Sequence, residues 1–272
     1  ENDVVGYYVF HVDWSPDGRE LVFLRANRRQ NVLEMAACAP DSGACRTVIH
    51  EAWPTGWIDD DPAPTTVWLK DGNRFIWESG RSGFNNYYLY DFKAGKLIAP
   101  LTQLQAEVAG VVRVDESANA LYYTARDGDN YMKFQLHRVG LDGKNDQRLT
   151  DPSFTHAVSL SPDGKYFVDV AETHDQAPVT RLLDANGKVV AELAKTDLTK
   201  FNELGLKKVE LYTYQTSDGQ ATLHGVIHFP SNFDPSKKYP VLVSVYGGPG
   251  VGNQTSERFT VPSATTEFGF IV

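Results

Sequence analysis

Tyr246, Gly247, Gly248, Pro249 and Gly250 follow an apolar run, Tyr239-Pro-Val-Leu-Val-Ser-Val245, so a phenol stands where a strand opens into a glycine-rich turn. A phenol held at the mouth of such a loop can donate a hydrogen bond to the oxyanion that develops on an attacked carbonyl. A preorganised donor of this kind contributes about 2.7–4 kcal/mol of transition-state stabilisation. In α/β-hydrolase folds the oxyanion loop follows an early strand, and the nucleophile sits on a later elbow. On these residues alone, a strand end followed by a tight turn remains the simpler reading.

Other residues of chemical interest point to structure. No serine of the chain lies in a Gly-x-Ser-x-Gly elbow, and the seven histidines form no ligand set. His224 and His228 fall on one face of a strand pattern and read as sheet residues. Asp59-Asp-Asp61 carries charge enough for Ca²⁺ but reads as a solvated acidic loop. Asn253-Gln-Thr255 fits the N-glycosylation pattern, a signal of low specificity. No metal or cofactor is expected. Cys38 and Cys45 flank the turn-rich segment Ala39-Pro-Asp-Ser-Gly-Ala44. A hairpin there would bring them to disulfide distance, and the spacing fits a bridge and two reduced surface thiols equally. Without a nearby histidine they are too few ligands for zinc.

The elements that must position these groups are mostly strands. Glu20-Leu-Val-Phe-Leu24, Arg74-Phe-Ile-Trp-Glu78, Ala120-Leu-Tyr-Tyr-Thr124 and Tyr166-Phe-Val-Asp-Val170 are β-branched or aromatic runs, each preceded by a turn. The turns recur as Trp14-Ser-Pro-Asp-Gly18, Leu69-Lys-Asp-Gly72, Val114-Asp-Glu-Ser-Ala118 and Leu160-Ser-Pro-Asp-Gly164, with steps of 54, 46 and 46 residues between their last positions. Each unit continues with a second strand, such as Asn86-Tyr-Tyr-Leu-Tyr90 or Phe134-Gln-Leu-His-Arg138. This period, with about four strands per repeat, is that of β-propeller blades. A β-sandwich with recurring turns is the competing architecture, and the regular spacing favours the propeller. Four blades are few for a closed ring, so residues 1–195 read as part of one. After Thr196-Asp-Leu-Thr-Lys-Phe-Asn-Glu-Leu204, a short linker helix, the pattern changes. Two strands joined by a hairpin at Thr216-Ser-Asp-Gly-Gln220 precede the apolar run, which reads as buried on both faces. Phe268-Gly-Phe-Ile-Val272 reads as a further buried strand.

The bulk numbers narrow the partners. The 272 residues carry a net charge of −9, which argues against nucleic acid or an anionic membrane. No apolar run approaches the ~18 residues of a membrane span, and Glu1-Asn-Asp3 is not a signal peptide.

In its order of segments the chain resembles the dipeptidyl peptidase IV family, within the prolyl oligopeptidase group of serine peptidases. The resemblance rests on Asn232-Phe-Asp-Pro-Ser-Lys-Lys-Tyr-Pro-Val-Leu-Val-Ser-Val-Tyr-Gly-Gly-Pro249 and on Trp14 through Cys45, including Arg28-Arg-Gln-Asn-Val-Leu33. Thr55-Gly-Trp57 and Trp77-Glu-Ser-Gly-Arg-Ser-Gly-Phe84 add to it. It implies a mainly β fold, part of an eight-bladed propeller (residues 1–195), then a linker and the first strands of an α/β-hydrolase domain (196–272). The implied activity is release of dipeptides from peptide N-termini after proline or alanine, through a Ser-Asp-His triad and an acyl-enzyme. Tyr246 would be the oxyanion tyrosine, with Gly247, Gly248 and Pro249 shaping its loop. Cys38 and Cys45 would form a disulfide, which places the protein in the periplasm or outside the cell.

The resemblance also brings the loop after Trp57 to the substrate cavity. The family's aromatic and arginine are replaced there by Ile58-Asp-Asp-Asp-Pro62, which includes Asp60 and Asp61 and leaves their contact with substrate open. The paired glutamates that hold a substrate amine are expected before residue 1, and the serine elbow, aspartate and histidine after Val272. The chain by itself should then be inactive and, with blade faces and a sheet edge bare, prone to aggregate. A peptide substrate and a homodimer of the full-length protein are the implied partners. The competing function is a non-catalytic propeller that binds peptides or a partner, its hydrolase portion vestigial.

Overall fold

The computed structural model describes residues 4–58, 65–245 and 257–272. Four antiparallel sheets follow one another, each with its four strands in chain order. The first holds β1 (Tyr8–Trp14), β2 (Leu21–Ala26), β3 (Val32–Cys38) and β4 (Cys45–Ala52). The second holds β5 (Thr66–Trp68), β6 (Arg74–Ser79), β7 (Asn86–Asp91) and β8 (Lys96–Pro100). Then come β9 (Val108–Asp115), β10 (Ala120–Ala125), β11 (Gln135–Gly140) and β12 (Gln147–Arg148), and finally β13 (Thr155–Leu160), β14 (Tyr166–Glu172), β15 (Val179–Asp184) and β16 (Val189–Lys195). These are propeller blades. Contacts group Glu1–Ala125 with His137–Arg148 in one compact unit and Arg126–Leu136 with Leu149–Val272 in a second.

The recurring turns join the first two strands of a blade. Ser15 donates from Oγ to Asp17 at 2.7 Å and accepts from the Glu20 N–H at 3.0 Å, while the Gly18 N–H donates to the Ser15 carbonyl at 2.7 Å. Ser161, Asp163 and Gly164 repeat the pattern, and Thr216, Asp218 and Gly219 use it again near the C-terminus. In the third blade the equivalent left-handed residue is Asn119, with φ of +51°, one position beyond the Ala118 that the spacing suggests. Asparagine reaches that conformation, which the alanine Cβ disfavours.

In the first unit, the second blade is covered on both faces. Phe75 and Trp77 of β6, with Tyr88 and Tyr90 of β7, pack against Val22, Leu24, Leu33, Met35 and Ile49 of the first blade. Their sequence neighbours Ile76, Tyr87 and Leu89 point the other way, onto Leu121, Tyr123 and Val139 of the third. The period of two therefore divides a continuous apolar run between two interfaces. A second contact recurs at the outer hairpins. A Cβ at Gly143, in the β11–β12 turn, would lie 2.1 Å from the carbonyl oxygen of Pro100, the last residue of β8; in the second unit, one at Gly187, in the β15–β16 turn, would lie 2.1 Å from that of Leu149. Both glycines have positive φ, +73° and +84°.

In the second unit α1 (Thr199–Glu203) follows β16, with the Asp197 carboxylate accepting from the Thr199 N–H at 2.8 Å. β17 (Glu210–Gln215) and β18 (Thr222–Ile227) form the expected hairpin. His228 and Val272 then exchange backbone hydrogen bonds of 2.8 and 3.1 Å, and Val241 bridges Ile271 in parallel. Beside the two-stranded sheet of β17 and β18, residues 271–272 thus lie between His228 on one side and residues 240–242 on the other. Two readings of the sequence are corrected here. Residues 268–272 are not one strand: α2 (Ala264–Glu267) ends at Phe268, Gly269 takes a φ of +90°, and pairing begins at Ile271. The run 241–245 is not buried on both faces; Val241, Val243 and Val245 are exposed, and the pairing described for it is that of Pro240, Val241 and Leu242 with Ile271.

Two tests follow from these contacts. Gly143→Ala and Gly187→Ala should each destabilise the protein by at least about 2 kcal/mol, measured by urea unfolding, because a methyl collides with backbone in a left-handed turn. Gly43→Ala, also at positive φ but with open space around it, should cost clearly less; equal losses would refute the contact. For Asp71, partial burial raises the carboxyl, but hydrogen bonds from Arg74 and Asn73 outweigh it and hold its pKa at about 2. The stabilisation is therefore present above the unfolded value near 3.9 and is lost as pH falls through about 2. Asp71→Asn should lower the melting temperature at pH 7, with the difference from the parent vanishing as pH approaches 2.

Candidate active site

The segment that precedes Tyr246 is fixed at its start. The Leu242 N–H donates to the Ile271 carbonyl at 2.8 Å, and the Ile271 N–H to the Pro240 carbonyl at 3.0 Å. Before it, Phe233 packs between Phe229 and Tyr239, with centroids 4.4 and 5.2 Å away, and the Tyr239 hydroxyl accepts from the Asp234 N–H at 2.8 Å. This aromatic cluster explains why the Asn232-to-Tyr239 segment reads as a signature: its polar residues cap a turn and its rings close it. Tyr246, Gly247, Gly248 and Pro249 lie outside the described residues, as do Asp60 and Asp61. His224 sits in β18 edge-on to Tyr131 at 4.9 Å, and burial holds the His228 imidazole below its usual range. Both are sheet residues.

Trp57 is described, in the first unit. It is 73 % exposed and stands with Trp53 and Ile58 at the edge of a cavity of about 520 Å³. The Trp53 and Ile58 N–H groups donate to the carbonyls of Asn31 and Gln30, which ties this loop to the β2–β3 turn. Gly56 lies so close to the Trp53 indole that a Cβ would stand 2.5 Å from it. The far wall is polar but internally paired. Arg81 donates to Tyr90 Oη at 2.6 Å, to Ser79 Oγ at 3.0 Å and to Glu51 Oε1 at 2.5 Å, and its guanidinium lies 4.5 Å over the Tyr88 ring. Trp77 Nε1 also donates to Glu51, at 2.8 Å. Burial disfavours the Arg81 charge, but the Tyr90 bond and the Glu51 carboxylate outweigh it and raise its pKa. His50, on the same cavity, bonds Glu34 at 2.8 Å, and Arg25 holds the other Glu34 oxygen at 2.6 Å. Burial pushes the Glu34 carboxyl up; the bonds from His50 and Arg25 bring it below the usual range. Such a cavity can hold an apolar or ring-bearing group between tryptophans, above fixed and mutually satisfied charges. It supplies binding rather than proton transfer.

Two His–Asp pairs are structural. His156 uses Nδ1 for Asp169 and Nε2 for the Asp151 carbonyl, both at 2.8 Å, leaving neither nitrogen for a serine. His137 faces Asp146 at 3.1 Å, whose other oxygen accepts from Tyr123 Oη. Among the described residues no group of three or more His, Cys, Asp or Glu side chains could hold a metal. Cys38 and Cys45 form a disulfide across the β3–β4 hairpin. Glu51, Arg81 and Glu257 were not foreseen from sequence. Arg81 lay within a noticed segment, Ser79-Gly-Arg-Ser82, but its partners come from other strands; Glu257 carries no local signal.

The model of the dipeptidyl peptidase IV N-terminal region matches residues 3–178. Dipeptidyl peptidase 4 of Trichophyton rubrum is 28% identical over 258 residues, covering 92% of this chain and 32% of the relative; that of Arthroderma otae is 26% identical over the same span. The chain thus spans about a third of the length of these relatives. Among solved structures, a protein assigned as dipeptidyl aminopeptidase IV from Bacteroides ovatus superposes with a TM-score of 0.79 at 25% identity, over 97% of this chain and 40% of its own. Porphyromonas gingivalis dipeptidyl peptidase 4 gives a TM-score of 0.76 at 22% identity, over 97% of this chain and 37% of its own, and supports the fold. With its four-stranded blades in order and the family model matching well over half its length, the chain belongs to the dipeptidyl peptidase IV family.

Proposed function

We propose that this chain is part of a serine peptidase that releases dipeptides from peptide N-termini after proline or alanine, with Tyr246 as an oxyanion donor. The observation that carries the reading is the backbone pairing that follows the β17–β18 hairpin in the second unit. The segment that starts at Val241 follows the β17–β18 hairpin and pairs in parallel, at Val241, with Ile271 of the segment after it. In α/β-hydrolases the loop after the third strand supplies the oxyanion side of the site. Here the sequence that follows this segment is Tyr246-Gly-Gly-Pro249.

The chemistry is acyl transfer. A serine attacks the scissile carbonyl, a histidine takes its proton and returns it to the leaving amine, and water later cleaves the ester. Negative charge gathers on the carbonyl oxygen in both tetrahedral intermediates. The Tyr246 hydroxyl donates to that oxygen beside a backbone N–H adjoining the nucleophile. The triad itself has no counterpart in these residues. Trp57 is a substrate-cavity residue in this reading, stacking on a substrate side chain, with Asp60 and Asp61 in the same loop. The Cys38–Cys45 disulfide supports an oxidising compartment, periplasmic or extracellular.

The full-length protein should hydrolyse a Gly-Pro chromogenic substrate; absence of turnover would leave a non-catalytic binding propeller as the better reading. In an active parent, Tyr246→Phe should lower kcat about 10²- to 10³-fold with an unchanged melting temperature, and an unaltered kcat refutes its role. Trp57→Ala should raise KM several-fold at constant kcat, about the pattern of lost uniform binding; unchanged KM removes Trp57 from the substrate cavity.

A further inference from the structure

One charged group on the cavity beside Trp57 has bonding capacity to spare. Glu51 lines that cavity with its side chain only 10 % exposed. Trp77 Nε1 and the Arg81 guanidinium both donate to Oε1, at 2.8 and 2.5 Å, and among the described residues no donor reaches Oε2. Oε2 is not one of the unpartnered polar atoms sealed from solvent, so its remaining exposure is onto the cavity. Glu34, on the adjacent strand, has both oxygens in use: Arg25 donates to one at 2.6 Å, and His50 meets the other at 2.8 Å. A largely buried carboxylate oxygen without a protein donor favours a ligand that brings one.

The rest of the lining decides what carries that donor. Trp53 and Trp57 are 40 % and 73 % exposed, so both indoles offer surface to a ligand. An indole attracts a cation to its face, and a guanidinium, planar and weakly hydrated, stacks there better than an ammonium. The same wall already pairs these chemistries: the Arg81 guanidinium lies 4.5 Å over the Tyr88 ring and 5.6 Å over that of Tyr90. Arg81 itself is committed, its donors going to Ser79, Tyr90 and Glu51 Oε1. Its charge opposes a second cation beside it. A charge-assisted bond to Oε2, about twice as strong as a neutral one, and two indole faces act the other way. A hydroxyl or amide would satisfy Oε2 without using the indole faces, and an apolar ring would use the faces and leave Oε2 bare. A guanidinium does both.

We infer that the cavity beside Trp57 is a subsite for an arginine side chain, whose guanidinium donates to Glu51 Oε2 and lies against the indoles of Trp53 and Trp57. Glu51 sets the charge that the subsite selects, and the two tryptophans set its shape. That the group arrives on a peptide rests on the proposed peptidase reading; the recognition of the guanidinium does not.

The test is calorimetric titration of the full-length protein with acetyl-Ala-Arg-Ala-amide and its citrulline and phenylalanine counterparts. The acetyl group removes the free amine from which an exopeptidase works, so binding is read without turnover. Citrulline keeps the size and plane of arginine and lacks only the charge. The arginine peptide should bind about 10-fold tighter than either of the others. Glu51→Gln, which keeps an acceptor for Trp77 and Arg81, should reduce the arginine-to-citrulline ratio to about twofold. Trp57→Ala, at an exposed position, should reduce it about threefold. Equal affinity for arginine and citrulline, tighter binding of phenylalanine, or a ratio unchanged in Glu51→Gln overturns the inference. Should Glu51→Gln fail to fold, an unchanged ratio in Trp57→Ala overturns it instead. A parent that selects arginine but does not turn over Gly-Pro p-nitroanilide keeps the subsite and loses the peptidase reading; turnover without selection does the reverse.

Discussion

A four-stranded sheet with apolar residues on both faces cannot stand alone, and this constraint organises the molecule. β6 and β7 show it most directly. Trp77 and Ile76 are adjacent in sequence and fully buried, yet they serve opposite interfaces. At about 25 cal/mol per Å² of apolar surface, aromatic residues of this size dominate the stabilisation of each interface. Polar groups then occupy the rims: Trp77 reaches past the core to Glu51, and Glu51 in turn holds Arg81. The cavity beside Trp57 is thus an outgrowth of blade packing, its polar wall built by residues whose other ends are in the core.

The legibility of the chain follows from the range of each interaction. Blade turns were readable because their bonds are local: Ser15, Asp17 and Gly18 satisfy one another within a few residues. The third turn was misplaced by one position because Asp115-Glu-Ser-Ala118 mimics the pattern, while Asn119 takes the left-handed conformation. The β17–β18 hairpin was readable for the same local reason. Residues 268–272 misled because apolar content is common to a strand and to the end of a short helix. The exposed run at 241–245 misled because periodicity reports what a strand is built to bury, and only its neighbours decide what covers it.

The candidate site divides in the same way. Tyr246 and its glycines stand out because a phenol before a glycine-rich turn is a contiguous string. The cavity beside Trp57 needed coordinates, since Glu51 and Arg81 are thirty residues apart and meet through strand pairing. Glu257 is further still from legibility: its partners lie 83 and 127 positions away. What these groups share is electrostatic closure. Arg81 with Glu51, Glu34 with Arg25 and His50, and Glu257 with His174, Asn130 and Lys133 are each fixed by several bonds to groups from other strands or connections.

The disulfide at Cys38 and Cys45 crosses a single rung of the β3–β4 hairpin and encloses six residues, Ala39 to Ala44. The Ala39 N–H already donates to the Ala44 carbonyl at 2.9 Å within that loop. The crosslink is therefore local: it closes one hairpin tip and ties no blade to another.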